Sequence, residues 1–461
     1  MAVVIDASIW EPNPSLYLFI FICCFFSIAL FPHASRTNNS INKSQSPFDH
    51  GISSSSSSSF LRFQRKFLFF FSLASVMEGL WSVFGEFELA KYGVNKEQIM
   101  TSLCVGYGAA LLVGTFLGMI SDLVGHKKSC LIFCILHLFV GIWKRIMPHP
   151  SVWLASTCLS LATSIFSFSF EAWVVVENEK QGHGQDTLSD TFWLMTFFES
   201  ASLIGSQVLA NWLLGSNLEK GFASCYTAAI FLAMIGIVYV NKGWKETTQD
   251  AAIKDYRVSY RHIFTDKRMW LLGCAHACLQ FSIAVFWIMW APTLVADGRE
   301  VSLGLIHPCL LGARMLGSTV FPWLLSGPSS IRTEDCLVYA FIVLGFTLSI
   351  VAYDYQEIGV LVSLFCLFHA GVGLIIPSLA RLRTMYNEMH VPNELRGGMI
   401  SLSLAPANAA ILFWLMQRGY YQKIENSTMI ALAALGLFVA AGCMHLLKGW
   451  GKQPYQNWHK L

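Results

Sequence analysis

Apolar runs of about twenty residues, the length needed to cross the hydrocarbon core of a bilayer, recur along nearly the whole chain between short polar intervals. The first run, LYLFIFICCFFSIALF (16–31), stands apart from the rest. Asp6 and Glu11 precede it with no basic residue, while Arg36, Lys43, Arg62, Arg65 and Lys66 follow. A cleaved signal peptide carries its positive charge before the apolar run, so a retained helix with its N-terminus outside is expected. A linker holding the serine run Ser53–Ser59 comes next, a composition that cannot build a packed core. Twelve further spans follow near 67–90, 101–120, 129–147, 151–176, 190–214 and 222–241, then 269–290, 301–325, 334–353, 357–380, 396–418 and 427–447. The most polar interval between them, 242–268, divides the twelve into two groups of six. The expected organisation is therefore an extra helix and linker (1–66), a six-helix half (67–241), a central loop (242–268), a second half (269–447) and a tail (448–461).

Composition narrows the class. With 54% hydrophobic and only 13% charged residues, the chain is too apolar for a soluble globule of its length. The pattern predicts an all-α polytopic membrane protein with the lipid bilayer as its surroundings. A net charge of +3 gives no reason to expect nucleic acid as a partner. The thirteen cysteines lie mostly inside apolar runs without framework spacing, and read as packing residues, not disulfides or a metal site. If the 32–66 linker is cytosolic, the segments on that side hold roughly three times as many Lys and Arg residues as those opposite, as the positive-inside rule requires. The C-terminal tail then falls on the cytosolic side. No phosphate-binding Gly-Lys-Ser/Thr loop and no catalytic constellation appears. Neither enzyme activity nor a cofactor or metal is expected, and transport by such a chain would be driven by gradients rather than ATP hydrolysis.

Two six-helix halves joined by a long basic loop is the layout of a major facilitator transporter, and short motifs carry that resemblance further. The loop after the second core span reads GMISDLVGHKK (118–128). It resembles the facilitator signature Gly-x-x-x-Asp-x-x-Gly-Arg-Lys/Arg, with Gly118, Asp122, Gly125, Lys127 and Lys128 fitting and His126 replacing an arginine. In that family the loop is a cytosolic latch: glycine permits a tight turn and close helix contact, and the aspartate faces a neighbouring helix N-terminus. The plainer reading is a tight turn with ordinary positive-inside charge. LATSIFSFSFEAWVVVEN (161–178), FWIMWAPTL (286–294), GLIIPSLARLR (373–383) and the extra N-terminal span together resemble the molybdate-anion transporter family of facilitators. The resemblance implies a two-bundle facilitator fold and transport of molybdate or a related oxyanion. The chain departs from it at Ser156, at Leu279-Gln280, at Ser403–Pro406 and over EGLWSVFGEFE (78–88). Two cations and one carboxylate expected from the family are absent, while Arg314 stands mid-span in the eighth core span.

Several spans carry one polar stripe each. At 100° per residue, Ser156, Ser160, Ser164, Ser167 and Glu171 share a face of the fourth core span. Ser75, Glu78, Ser82 and Glu86 align on the first, Glu199, Ser202 and Ser206 on the fifth, and His276, Gln280 and Trp287 on the seventh. Such stripes suit a bundle around a water-filled path. A carboxylate facing lipid mid-helix costs on the order of 3 kcal/mol or more, so Glu171 is expected to face away from lipid. It lies some 15 Å along the helix from Ser160 at about 1.5 Å per residue, close to the 118–128 loop. An ion pair with Lys127 and Lys128 that competes with opening is the favoured expectation. Snorkelling to the interface and a solute- or proton-binding role stay open.

Arg314, Ser160, Ser164, Gln280, Asn408, Glu78 and Glu199 are the candidate solute contacts. An arginine fork suits a tetrahedral oxyanion; the alternative for Arg314 is a structural pair with Glu78 or Glu199. Glu78, Glu86 and Glu199 are candidates for a coupled proton. His137, His276, His307 and His369 are unclustered in sequence and read as packing residues. The expected activity is secondary active transport of molybdate or a related oxyanion across the plasma membrane, by alternating access. An internal membrane, a sugar or organic anion as solute, and a non-transporting scaffold or receptor are the alternatives.

Overall fold

The computed structural model describes residues 9–42, 53–91, 95–147, 149–180, 185–215, 218–243, 266–326, 332–353, 357–390, 395–421 and 426–451. In lipid every backbone N–H and C=O must be satisfied within its own segment, which leaves the helix as the solution for an open chain. Thirteen helices result among the described residues. The extra helix is α1 (Pro14–Asn42). The first half comprises α2 (Ser53–Lys91), α3 (Lys96–Ala109, continued through a π-helical turn Ala110–Gly114 into Thr115–Val124), α4 (His126–Ile146), α5 (Val152–Lys180), α6 (Gln185–Leu214) and α7 (Leu218–Gly243). The second half comprises α8 (Lys267–Leu294), α9 (Leu303–Ser326), α10 (Thr333–Ala352), α11 (Ile358–His390), α12 (Arg396–Tyr421) and α13 (Asn426–Gly451). Among the described residues, ten of these, α3–α5 and α7–α13, carry an apolar stretch long enough to cross a bilayer.

Each half builds its own core. Because lipid tails are as apolar as the side chains, close packing rather than water exclusion holds the helices together. In the first half Phe170 is the hub, its ring centroid 5.1 Å from Phe166, 5.3 Å from Phe71, 5.5 Å from Phe70 and 6.0 Å from Phe133. The phenylalanines that make residues 164–178 look lipid-facing thus point into the bundle. In the second half Phe286 plays this part against Phe365 and Phe368, each 5.0 Å away. The result is two six-helix bundles, α2–α7 and α8–α13.

The helix α1 packs along α9, with Ile20 and Cys24 against Cys309 and Met315. Its entry is pinned by Trp10 N–H donating to Glu300 O (3.0 Å) and Ser302 N–H donating to Trp10 O (3.1 Å). The helices extend further than the apolar runs that nucleate them. The helix α1 continues to Asn42 and α2 begins at Ser53, inside the serine run expected to be linker. Once a helix is nucleated, each added residue gains one backbone bond, so apolarity marks the membrane crossing and not the helix ends. Most of the central loop (244–265) and the tail beyond 451 lie outside the described residues.

The aromatic hub yields a stability prediction. Phe170→Ala removes a fully buried ring and is expected to cost about 3–5 kcal/mol, read as a lowered thermal midpoint of the detergent-solubilised protein. Phe116→Ala, at a side chain 58% exposed, is expected to leave the midpoint within error.

Candidate transport cavity

Between the bundles lies a cavity of about 410 Å³. The first half lines it from α2, α5 and α6, and the second half from α8, α9 and α11. The stripe on α2 faces it through Ser75, Glu78 and Ser82, and that on α6 through Glu199 and Ser206. On α8 the aligned His276, Gln280 and Trp287 all face it. Gln280 Nε2 lies 3.3 Å from His276 Nε2, and His276 Nδ1 lies 2.7 Å from Ser403 Oγ on α12.

Arg314 lines the cavity from α9, and its Nη2 donates to Glu199 Oε2 at 3.0 Å across the two halves. The expected solute contact and the expected structural pair are therefore one arrangement. Nη2 is held by Glu199, and the buried Nε has no protein acceptor among the described residues. One turn from the cavity's His307, Gln207 bridges the same helix pair. Its Nε2 donates to Gly304 O (2.8 Å), so its Oε1 is the acceptor facing His307 Nδ1 at 3.0 Å. His369 on α11 also lines the cavity, 1% exposed, with both ring nitrogens unpartnered among the described residues.

The stripe on α5 divides. Ser167 and Glu171 face the cavity, joined by Thr163. Ser156, Ser160 and Ser164 turn to α3 instead. Ser156 Oγ donates to Ser102 O at 2.7 Å. A β-carbon at Gly106 would fall 2.5 Å from Ser160 Oγ, and one at Gly114 would fall 2.7 Å from Ser164 Oγ. The expectation that Ser160 and Ser164 line the path is corrected by this seam, since small polar residues serve close helix packing as readily as solvation. Asn408, on α12, also lies outside the cavity lining.

One end of the cavity is closed by a charged clamp between the halves. Glu171 Oε1 and Oε2 accept from Arg383 Nε (3.0 Å) and Nη2 (2.6 Å), and Oε1 also accepts from Arg396 Nε (3.1 Å) and Nη2 (2.7 Å). Arg396 is fully buried and also donates to Thr384 Oγ1 (2.9 Å) and Ala380 O (2.8 Å). The expected partner of Glu171, the Lys127–Lys128 turn, is thus corrected to a pair of arginines from the second half. Its periodicity gave the face that Glu171 presents but not which helix lies opposite. The turn makes a separate contact: Asp122, 2% exposed, accepts from the N–H groups of Gly397 (3.0 Å) and Gly398 (2.7 Å) at the start of α12. Those are among the unsatisfied donors of a helix N-terminus, where negative charge is favoured. Gly118 is needed for this approach, because a β-carbon there would meet Ser401 and lie 2.6 Å from Gly397 O. Gly125, at φ 102°, joins α3 to α4 in a conformation that L side chains rarely adopt.

A family model described as sugar transporters with twelve transmembrane segments matches residues 48–364. The chain belongs to that family. Curated relatives include the molybdate-anion transporters of Xenopus tropicalis and Xenopus laevis, each 23% identical over 367 residues, 77% of this chain and 78% of theirs. The Danio rerio molybdate-anion transporter is 23% identical over 329 residues, 64% of this chain and 66% of its own length. Among solved structures, a bacterial homologue of the iron transporter ferroportin in an outward-facing state is similar with a TM-score of 0.64 and 15% identity, over 84% of this chain and 99% of that one. The E. coli fucose:proton symporter is similar with a TM-score of 0.63 and 14% identity, over 83% and 98%. These likenesses give the major facilitator fold, and the relatives are transporters, not enzymes. The protein is an integral multi-pass membrane transporter.

Arg383 and Arg396, the partners of Glu171, are the residues that sequence reasoning passed over. Arg383 closes the stretch GLIIPSLARLR, where an arginine at a span end reads as orientation charge. Arg396 precedes Gly397-Gly398 at the start of a span, a pairing of charge with close-approach residues that was the available signal. Removing one partner of a buried pair costs about 3–5 kcal/mol. Glu171→Gln, which strands two guanidiniums, is therefore expected to lower the thermal midpoint. It should also raise by several-fold the maleimide labelling of a cysteine placed at Ser401, which is 2% exposed. Unchanged labelling would separate the clamp from contact between the halves.

Proposed function

We propose that this transporter moves molybdate or a related tetrahedral oxyanion by alternating access, the two bundles rocking about the cavity. The observation that carries this reading is Arg314, which lines the cavity as a cation held in orientation by Glu199. A guanidinium fixed in place offers its cavity-facing N–H groups and its charge to the oxygens of an oxyanion. The curated molybdate-anion transporters support the solute class. In this reading the contacts of Glu171 and Asp122 are the gate at the cytosolic end, and rocking exchanges them for a closure at the opposite end. The driving force is an ion gradient, and the plasma membrane is the proposed location.

A second reading rests on the family description, sugar transporters, and on Trp287 and Gln280, two turns apart on one face of α8 in the cavity wall. An indole face and an amide on one wall suit a neutral sugar.

Molybdate uptake by transport-deficient cells separates the two. Arg314→Ala is expected to reduce uptake tenfold or more, since a charge-assisted bond contributes about 1.5–3 kcal/mol. Arg314→Lys, which keeps the charge without the fork, is expected to fall between. Uptake of molybdate that ignores both substitutions would remove Arg314 from the site, and uptake of a sugar in place of molybdate would favour the second reading.

A further inference from the structure

Glu78 on α2 is held by two polar side chains from the neighbouring helices α4 and α5. His137 on α4 is fully buried and reaches it through Nε2, 3.1 Å from Glu78 Oε1. Thr163 Oγ1 on α5 donates to Glu78 Oε2 at 2.8 Å and also lies 3.0 Å from Leu159 O. A threonine hydroxyl has one proton and two lone pairs. It donates to Glu78 when that side chain is a carboxylate. It turns to Leu159 O, and accepts from Glu78, when the side chain is a carboxylic acid. The same atoms satisfy both forms without moving a helix. Glu78 meanwhile lines the cavity, its side chain 20% exposed, so a proton has a route to it.

The charges around Glu78 say what a proton there would do. The other ionisable groups facing the cavity among the described residues are Glu171 from α5, Glu199 from α6, His276 from α8, His307 and Arg314 from α9, and His369 and Arg383 from α11. The helix α7, which also packs on α2, contributes no cavity-lining residue among those described. With Arg396 behind Glu171, three carboxylates face three guanidiniums, and the cavity is formally neutral while the histidines are neutral. One proton on Glu78 makes it cationic. A low-dielectric site accepts an anion far more readily with a compensating charge than without one.

We infer that Glu78, held by His137 and Thr163, is the proton-binding site that couples proton entry to anion entry. The inference rests on the anion reading above for its charge argument. The proton binds as the Glu78 carboxylate becomes the acid, and leaves by the same route when the anion departs.

Two measurements on the purified full-length chain test it. Infrared difference spectra between acidic and alkaline buffer are expected to show a protonated-carboxyl band that is absent in the isosteric Glu78→Gln and whose midpoint moves in Thr163→Val and His137→Leu. A band unchanged in Glu78→Gln would overturn the site, and a band that titrates identically in both neighbour variants would overturn their part in it. In proteoliposomes, an inward acid gradient of one unit is expected to raise accumulation of radiolabelled molybdate about tenfold for one coupled proton, and that ratio is expected to fall to near one in Glu78→Gln. A ratio that Glu78→Gln leaves intact would overturn coupling at Glu78. No molybdate uptake by the wild type would refute the anion reading, and the infrared titration would still decide the proton site.

Discussion

A charged side chain surrounded by hydrocarbon must find a partner of opposite sign, water, or a neutral form. Nearly every polar feature of this protein follows from that requirement. Glu171 meets it with two arginines from the opposite bundle. Arg314 meets it with Glu199, again from the opposite bundle, and Asp122 with the N–H groups that open α12. Because the partners sit on different halves, satisfying each charge also fixes how the halves meet.

This gives the inner surface a different character from the helix interiors. Within a bundle, phenylalanine rings and glycine–serine seams pack closely, and rearranging them would open voids. Between the bundles, ion pairs and capped backbone groups, which water can replace when the halves part, join apolar contacts such as Ala380 and Ile400 against the first half's core and the close approach of Gly118 to Ser401. In the closed arrangement the arginines Arg383 and Arg396 are held by one carboxylate, so the clamp carries more positive than negative charge beside the cavity.

The extra helix α1 belongs to the second bundle by its packing on α9, the helix that bears Arg314. Phe197, Ala201 and Ile204 of α6, the helix that bears Glu199, pack against the same apolar cluster. The element absent from a twelve-helix plan therefore backs the pair of helices whose charges meet across the cavity.

Much was legible from the order of residues alone. The recurrence of apolar runs about twenty residues long gave the all-helical, multi-span fold class, because a bilayer imposes its thickness on any chain that crosses it. Helical phase also identified the inward faces of α2, α6 and α8, since a carboxylate or histidine on an otherwise apolar helix has few places to go. Phase failed for Ser160 and Ser164, because a serine is small and polar at once, and only the position of Gly106 and Gly114 decided that these serines pack. It failed again for His137, His307 and His369, which are far apart in the chain and come to Glu78, Gln207 and the cavity wall through helix packing. A helix period states which residues share a face, and the partner across that face is set by contacts hundreds of residues away. The arginines opposite Glu171 were for that reason the tertiary structure's to decide.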